Sequence, residues 1–305
     1  MAKKPKWLEL SITVPGEFVE PAAELFRHYG KGGVVVEEAG GWNPDEGETA
    51  PVGADATVKT YMPITPAFKT NRELIHIGLR LISKLHPIEE LQERELEEEE
   101  WENAWKSHFS VHKVGKKLVL CPEWQEYEPK ESEVVVRIDP GMAFGTGHHP
   151  TTRRCLEAID KLMSPGLKVI DVGAGSGILS IAACKLGAGR VWAVEIDKVA
   201  VKACRANFKI NGVSGIARCY IGTVPQPSIP NGQADLVVAN INSVALTNLA
   251  PDLCKLLVDK NGWLVVAGIL IERENQVIEA FLSSGLKILD RTLDDDWVSL
   301  TCQLR

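Results

Sequence analysis

No stretch of this chain stays apolar over the roughly 20 residues that a membrane-spanning helix needs. The amino-terminal MAKKPKWLEL is positively charged, but no apolar run follows it, so no secretory signal is expected. Cysteines at C-x-x-C spacing are also missing. The seven cysteines (121, 155, 184, 204, 219, 254 and 302) are odd in number, and several fall within apolar helix or strand patterns. This usage points to reduced, buried thiols in a cytoplasmic protein. An excess of positive charge is absent too. With 34 Lys and Arg against 41 Asp and Glu, the formal charge is −7, which argues against broad nucleic-acid binding and allows a basic protein partner. The remaining composition, 45% hydrophobic and 25% charged, is that of a soluble globular protein. At 305 residues, two domains are expected.

What is present is organised around Lys168 to Asp197, KVIDVGAGSGILSIAACKLGAGRVWAVEID. Val169, Ile170 and Val172 form a short apolar run, the signature of a strand buried on both faces. Gly173, Gly175 and Gly177 permit a tight turn and close backbone approach to a ligand. An apolar helix follows, ended by Gly187 and Gly189, and a second strand from Val191 to Val194 carries Glu195 at its tip. The product is a βαβ unit suited to a nucleoside, with the carboxylate placed to accept hydrogen bonds from a ribose diol. A dinucleotide fingerprint would need a third glycine at position 178, which is Ile178. Asp171 ahead of the turn suits the ammonium of an amino-acid moiety and would repel a pyrophosphate. S-adenosylmethionine is therefore the expected ligand rather than a nicotinamide dinucleotide.

Residues 1–95 read as a separate α+β unit. Trp7 to Val14 alternates as a half-buried strand, Phe18 to Tyr29 has helical periodicity, and Val34 to Glu37 is a second strand. A polar loop from Gly40 to Ala54 precedes a third strand, Ala56 to Met62, and a helix from Arg72 to Leu85. A final strand near Leu91 to Leu96 would complete a ferredoxin-like β-α-β-β-α-β pattern. Nothing in this unit has catalytic spacing, so it reads as a recognition module. Residues 96–150 read as a linker helix, Leu96 to Phe109, and a pre-catalytic segment with strands near Leu118–Cys121 and Val134–Ile138. Nine glutamates between Glu89 and Glu102 read as a solvated face.

Asp139 to Thr152, DPGMAFGTGHHPTT, is too rich in glycine, proline and threonine for a regular element and reads as a loop before the helix Cys155 to Met163. Thr151 or Thr152 can cap that helix. Adjacent histidines at 148 and 149 point apart, and no cluster completes a metal site, so no metal is expected. Residues 151–305 read as a doubly wound domain. Helices are expected at 201–210, 246–258 and 272–282, and strands at 234–239 and 263–267. An antiparallel pair, 286–292 with 298–303, would close the sheet. Asn240 ends the strand 234–239 at the carboxyl edge, where ligands bind in such sheets.

Three segments together, DPGMAFGTGHHPTT, DVGAGSGILSIAA and VVANINSVALTNLAP, resemble the bacterial ribosomal protein L-eleven methyltransferase family. WLELSITV, GGVVVEE and WENAWK are similar to that family as well, so the resemblance spans nearly the whole chain. It implies a Rossmann-like, seven-stranded class I methyltransferase domain preceded by a ferredoxin-like substrate-recognition domain. It also implies methyl transfer from S-adenosylmethionine to amino groups of that ribosomal protein, lysine side chains and the N-terminal amine included. Carried over by position, the cofactor contacts would be Thr152, Gly173, Glu195 and Asn240. Asp171 and Gly175 join them from the reading of the turn, and Asn240 is the candidate for aiming the acceptor amine. Two departures stand out: Glu195 replaces the family's usual Asp, and Asn242-Ser243 replace an apolar pair. The enzyme is expected to be a cytoplasmic monomer without direct nucleic-acid contacts. Alternatives from other classes are a methyltransferase for another protein or a small amine, and a non-catalytic ribosome-associated protein.

Overall fold

A computed structural model of the chain describes residues 6–30, 34–38, 55–65, 68–84, 86–97, 100, 110–139, 147 and 149–305. The chain divides into two compact units, Met1–Phe109 and Ser110–Arg305. The loop expected from Gly40 to Ala54, and all of the expected linker helix past Glu100, lie outside the described residues. Among the described residues, no helix is long and apolar enough to cross a membrane.

The first unit runs β1 (Trp7–Val14), α1 (Gly16–Tyr29), β2 (Val34–Glu38), β3 (Ala56–Pro63), α2 (Phe68–Ile82) and β4 (Gln92–Leu96). Its strands lie in the order β2-β3-β1-β4, every neighbouring pair antiparallel, which is the expected ferredoxin-like arrangement. The alternation read in β1 puts Leu8, Leu10, Ile12 and Val14 on one face. There they meet Ala22, Ala23 and Phe26 of α1 and Ile75 and Leu79 of α2. The glutamate run contributes an exposed strand, β4, whose Glu93 is held by Arg72 (2.7 Å) and His76 (2.9 Å) of α2.

The second unit opens with a small sheet, β5 (His112–Val114), β6 (Leu118–Pro122) and β7 (Val134–Ile138). Its core residues Val114, Leu118, Leu120, Val136 and Ile138 join the main core of this unit. Residues 112–138, grouped in sequence with the linker, therefore pack as part of the larger unit. Next come α3 (Pro150–Leu162), β8 (Lys168–Val172), α4 (Ile178–Lys185), β9 (Arg190–Glu195), α5 (Lys198–Ile210) and β10 (Ala217–Ile221). They are followed by β11 (Leu236–Asn240), α6 (Ser243–Leu256), β12 (Trp263–Leu270), α7 (Glu274–Ser283), β13 (Leu286–Asp294) and β14 (Trp297–Leu304). The seven strands order as β10-β9-β8-β11-β12-β14-β13, with β14 antiparallel to both neighbours. This is a doubly wound sheet with a closing hairpin, as expected. Its topological switch point lies between β8 and β11.

Both faces of the sheet are covered, which explains why its central strands read as unbroken apolar runs. In β8 and β11, Val169, Leu236 and Val238 pack with α3, α4 and α5, while Ile170, Val172, Val237 and Ala239 pack with α6 and α7. The seven cysteines are free and buried. Two strands escaped the sequence reading. β5 has only three residues, and β10 is an edge strand whose exposed Arg218 interrupts the apolar pattern.

One irregularity shapes the carboxyl edge of the sheet. The β12–β14 register shifts between Val266 and Ile269, and Gly268 within the shift has φ +87°. A Cβ at Gly268 would lie 2.4 Å from the Ile241 carbonyl oxygen, directly after the tip of β11. Gly268→Ala combines a left-handed conformation with a backbone clash. It is expected to lower unfolding free energy by at least about 2 kcal/mol. Urea titration checks this, and a loss below about 0.5 kcal/mol would mean that the bulge relaxes freely.

Candidate active site

The glycine turn forms where β8 ends. Gly173, Gly175 and Gly177 all have positive φ (79°, 53° and 84°), so each of the three supplies backbone freedom that an L-residue would resist. The amides of Gly173 and Ala174 donate to the Val194 carbonyl of β9 at 2.9 and 3.0 Å, folding the turn over the neighbouring strand. Gly177 then starts α4 as its N-cap, and a Cβ there would meet Cys204 and Phe208 of α5 at 2.7 and 2.9 Å. The close packing associated with a third glycine is thus present, one position before Ile178.

Glu195 sits at the tip of β9 and closes the other side. One carboxylate oxygen accepts from the Gly175 amide and the other from the Asp197 amide, both at 2.9 Å. A carboxylate has about four lone-pair sites. Two remain for a diol after the protein has used its share. Asp197 in turn caps α5 through Val199 N (2.9 Å).

Across the switch point, Asn240 ends β11 and its Nδ2 donates to Thr152 Oγ1 at 3.2 Å. These two predicted residues lie 88 positions apart and meet here. Thr152 is buried in the first turn of α3, but neither threonine caps that helix. The cap is His149, whose Nδ1 accepts from Thr151 N at 3.3 Å and bonds Thr151 Oγ1 at 2.8 Å. His149 also meets the Trp297 ring edge-on at 5.1 Å, and Arg153 and Arg154 pair with Asp294 at 2.8 and 3.0 Å. The β13–β14 hairpin thereby fixes the end of α3 that carries Thr152. Of the DPGMAFGTGHHPTT loop, residues 140–146 and 148 lie outside the described residues.

Asp171 differs from the simple expectation of a carboxylate facing a ligand. Its side chain has no exposed surface, and Oδ2 accepts from Ser180 N (3.1 Å) and Ser180 Oγ (2.6 Å) in α4. Oδ1 is buried with no hydrogen-bond partner among the described residues. Burial pushes this carboxyl up to about 6, although the two bonds from Ser180 pull it down. The geometry makes Asp171 the strut that ties the glycine turn to the helix after it.

Several residues that position the site were not singled out in the sequence. Asn207, buried in α5, donates to the Ser176 carbonyl (2.9 Å) and accepts from Asp139 N (3.1 Å), linking the glycine turn to the end of β7. A polar side chain on the apolar face of a helix was the available signal. Ile241 is wedged between two glycines: a Cβ at Gly173 would lie 2.2 Å from its side chain, and one at Gly268 would meet its backbone. An isolated glycine inside a strand pattern was the clue there. Asn242 proves to be the N-cap of α6, accepting from Ala245 N at 2.9 Å, which gives one of the two unusual polar residues a local structural role.

Comparison with known proteins bears on this geometry. The family model for ribosomal protein L11 methyltransferase (PrmA) matches residues 6–305. The chain belongs to the ribosomal protein L11 methyltransferase family. A curated L11 methyltransferase from Chloroflexus aurantiacus is 38% identical over 96% of this chain and 97% of its own. Another, from Desulfosudis oleivorans, is 39% identical over 98% and 99%. Among solved structures, a ribosomal protein L11 methylase from Lactobacillus delbrueckii subsp. bulgaricus aligns with TM-score 0.60 and 32% identity. It covers 65% of this chain and 100% of its own. Membership in the L11 methyltransferase family thus rests on nearly the full length, not on the glycine turn alone.

The buried acid yields a stability test. A carboxyl raised from 3.8 to about 6 favours the folded state most below pH 3.8, and that contribution is lost as pH rises through 6. The difference corresponds to roughly 3 kcal/mol disfavouring the ionised native protein at neutral pH. Asp171→Asn removes the charge and keeps an acceptor for Ser180. It is expected to stabilise the protein by about 1–3 kcal/mol at pH 7, with the gain fading towards pH 4. Denaturant titrations at both pH values test this; a variant less stable at pH 7 would show that the carboxylate is better solvated than its burial implies.

Proposed function

We propose that this chain transfers methyl groups from S-adenosylmethionine to amino groups of ribosomal protein L11. The observation that carries the reading is the convergence at one switch point of a glycine turn, the Glu195 carboxylate and the Thr152–Asn240 pair. The residues fit the cofactor. Gly173 and Gly175 leave room for close approach, and Glu195 has two lone-pair sites free for a ribose diol. Thr152 and Asn240 offer polar groups at the opposite wall, and Asp171 holds the turn from behind. When bound, S-adenosylmethionine supplies a methyl group on a positively charged sulfur.

The protein's task is then to present a neutral amine in line. A lysine with pKa ~10.4 costs about 4.6 kcal/mol to neutralise at pH 7, and an α-amine near 7.8 about 1 kcal/mol. Water exclusion and positive charge nearby both lower that penalty by disfavouring the ammonium. No general base is needed at the rate-setting position if proximity and orientation carry most of the barrier reduction. The Asn240 amide oxygen is the acceptor that can take an amine hydrogen and aim the lone pair, since its Nδ2 is already held by Thr152. In this reading the ferredoxin-like unit grips the ribosomal protein while successive amines are presented. The enzyme works as a monomer in the cytoplasm, a setting that seven free thiols suit.

Glu195→Ala removes the diol acceptor and the tether of the turn together, so S-adenosylmethionine affinity should fall by about 2–3 kcal/mol, some 30- to 150-fold. Unchanged affinity by calorimetry in a folded variant would remove Glu195 from the site. Asn240→Ala should lower kcat more than it weakens cofactor binding. Equal losses would make Asn240 a binding residue only.

The division of labour is tested by a protein beginning at Ser110. It retains the seven-stranded sheet and every cofactor candidate, so it should bind S-adenosylmethionine with wild-type affinity and lose transfer to intact L11. Labelled methyl transfer followed by mass analysis of L11 reads the outcome. Full activity in the shortened protein would instead favour a small-amine substrate.

A further inference from the structure

The candidate site residues follow the order of the strands. Asn240 ends β11, the glycine turn follows β8, Glu195 ends β9, and the next strand outward is the edge strand β10. In S-adenosylmethionine the sulfur and the base sit on opposite sides of the ribose. With the sulfur towards Asn240 and the ribose at Glu195, the base lies towards the tip of β10. That tip is tied to the ribose position: Gly222, directly after β10, donates its amide to the Glu195 carbonyl at 2.9 Å and has φ +120°. A Cβ at Gly222 would meet one group within 4 Å, the Nε2 of Gln226 at 3.6 Å. This Nε2 is shielded from solvent and has no hydrogen-bond partner among the described residues. A shielded amide donor is costly to leave unmade, so an orphan of this kind calls for an explanation.

We propose that Gln226 reads the base of the cofactor, accepting a hydrogen bond from the exocyclic amine of adenine at Oε1 and donating one from Nε2 to the adjacent ring nitrogen. The inference rests on Glu195 as the acceptor for the ribose diol. A carboxamide carries an acceptor and donors side by side, and adenine presents the complementary pair, an amine beside an acceptor nitrogen. Gln226 is half-buried, and with Nε2 unbonded, rotation about its soft terminal torsion turns the amide towards a base at little cost. A carboxylate would be the stronger acceptor for the amine, but no Asp or Glu occurs between Asp197 and Asp235. That span holds all of α5, β10 and the loop that carries Gln226. Ile221, the register partner of Glu195, is 49% exposed, and Ile196, next after Glu195, is 72% exposed. Apolar surface with a few polar groups beside it is what a purine ring needs.

The test is calorimetry on the full chain with two ligands, S-adenosylhomocysteine and its purine analogue, which lacks only the exocyclic amine. The wild-type protein should bind the purine analogue about fivefold more weakly, the order expected for one hydrogen bond. Gln226→Leu should bind S-adenosylhomocysteine about tenfold more weakly and distinguish the two ligands by less than about twofold, since the partner of the amine is gone. Gln226→Glu keeps an acceptor for the amine and should restore the preference without the full affinity. If Gln226→Leu does not fold, Gln226→Met carries the same comparison. A preference for adenine that survives intact in Gln226→Leu or Gln226→Met would overturn the inference, because another group would then hold the amine. Equal binding of the two ligands by the wild-type protein would overturn it as well. Glu195→Ala separates the two readings. Lost affinity there, with the Gln226 variants behaving as wild type, would keep the diol assignment and reject the base reader; unchanged affinity there would reject both.

Discussion

The double hydrogen bond of Glu195 is the constraint on which the site depends. One carboxylate bonds the Gly175 amide of the turn and the Asp197 amide at the cap of α5, both at 2.9 Å. Three left-handed glycines would otherwise give the β8–α4 connection wide conformational freedom. Charge-assisted bonds to backbone amides restrict that freedom before any ligand arrives. Behind the turn, Asp171 and Ser180 pin the start of α4, and Asn207 joins Ser176 to the end of β7. The glycine turn is thus braced from β9, α4 and α5 together. Preorganisation of this kind keeps ordering entropy out of the binding step.

The Thr152–Asn240 pair is braced by different means. Thr152 comes from the first turn of α3, and Asn240 from the tip of β11. Their bond requires the α3 terminus to be held, which His149, Arg153 and Arg154 do through Trp297 and Asp294 of the closing hairpin. The chain after Asn240 is held closely as well, with Ile241 packed against the Gly173 and Gly268 positions. A hairpin at the end of the chain therefore supports the Thr152–Asn240 pair, built from residues far earlier in it. This coupling is why a strand irregularity at Gly268 belongs to the account of the site.

Legibility in the sequence followed the range of each interaction. The β8–turn–α4–β9 unit was readable because doubly buried strands give apolar runs and left-handed turns demand glycine. The ferredoxin-like unit was readable from alternation in β1 and helical period in α1. Contacts between distant segments left no local trace: nothing near Thr152 announces Asn240, and nothing near Asn207 announces Asp139. Local competition misled in one place, where His149 took the cap that Thr151 or Thr152 could have supplied. Edge strand β10 was missed because an exposed arginine breaks the apolar pattern that marks central strands. Asp171 was read as facing a ligand, whereas packing turned it inward towards Ser180.

The claim that the glycine turn is held ready by Glu195 can be read directly from amide hydrogen exchange over residues 171–197 without ligand. The account expects the Gly175 and Asp197 amides to be protected in the free protein, and to gain little when S-adenosylhomocysteine is added. Replacing Glu195 by Ala should release both amides together while Ser180 stays protected. Fast exchange at Gly175 and Asp197 in the free wild-type protein, with protection appearing only on ligand binding, would contradict it and make the cleft a product of binding.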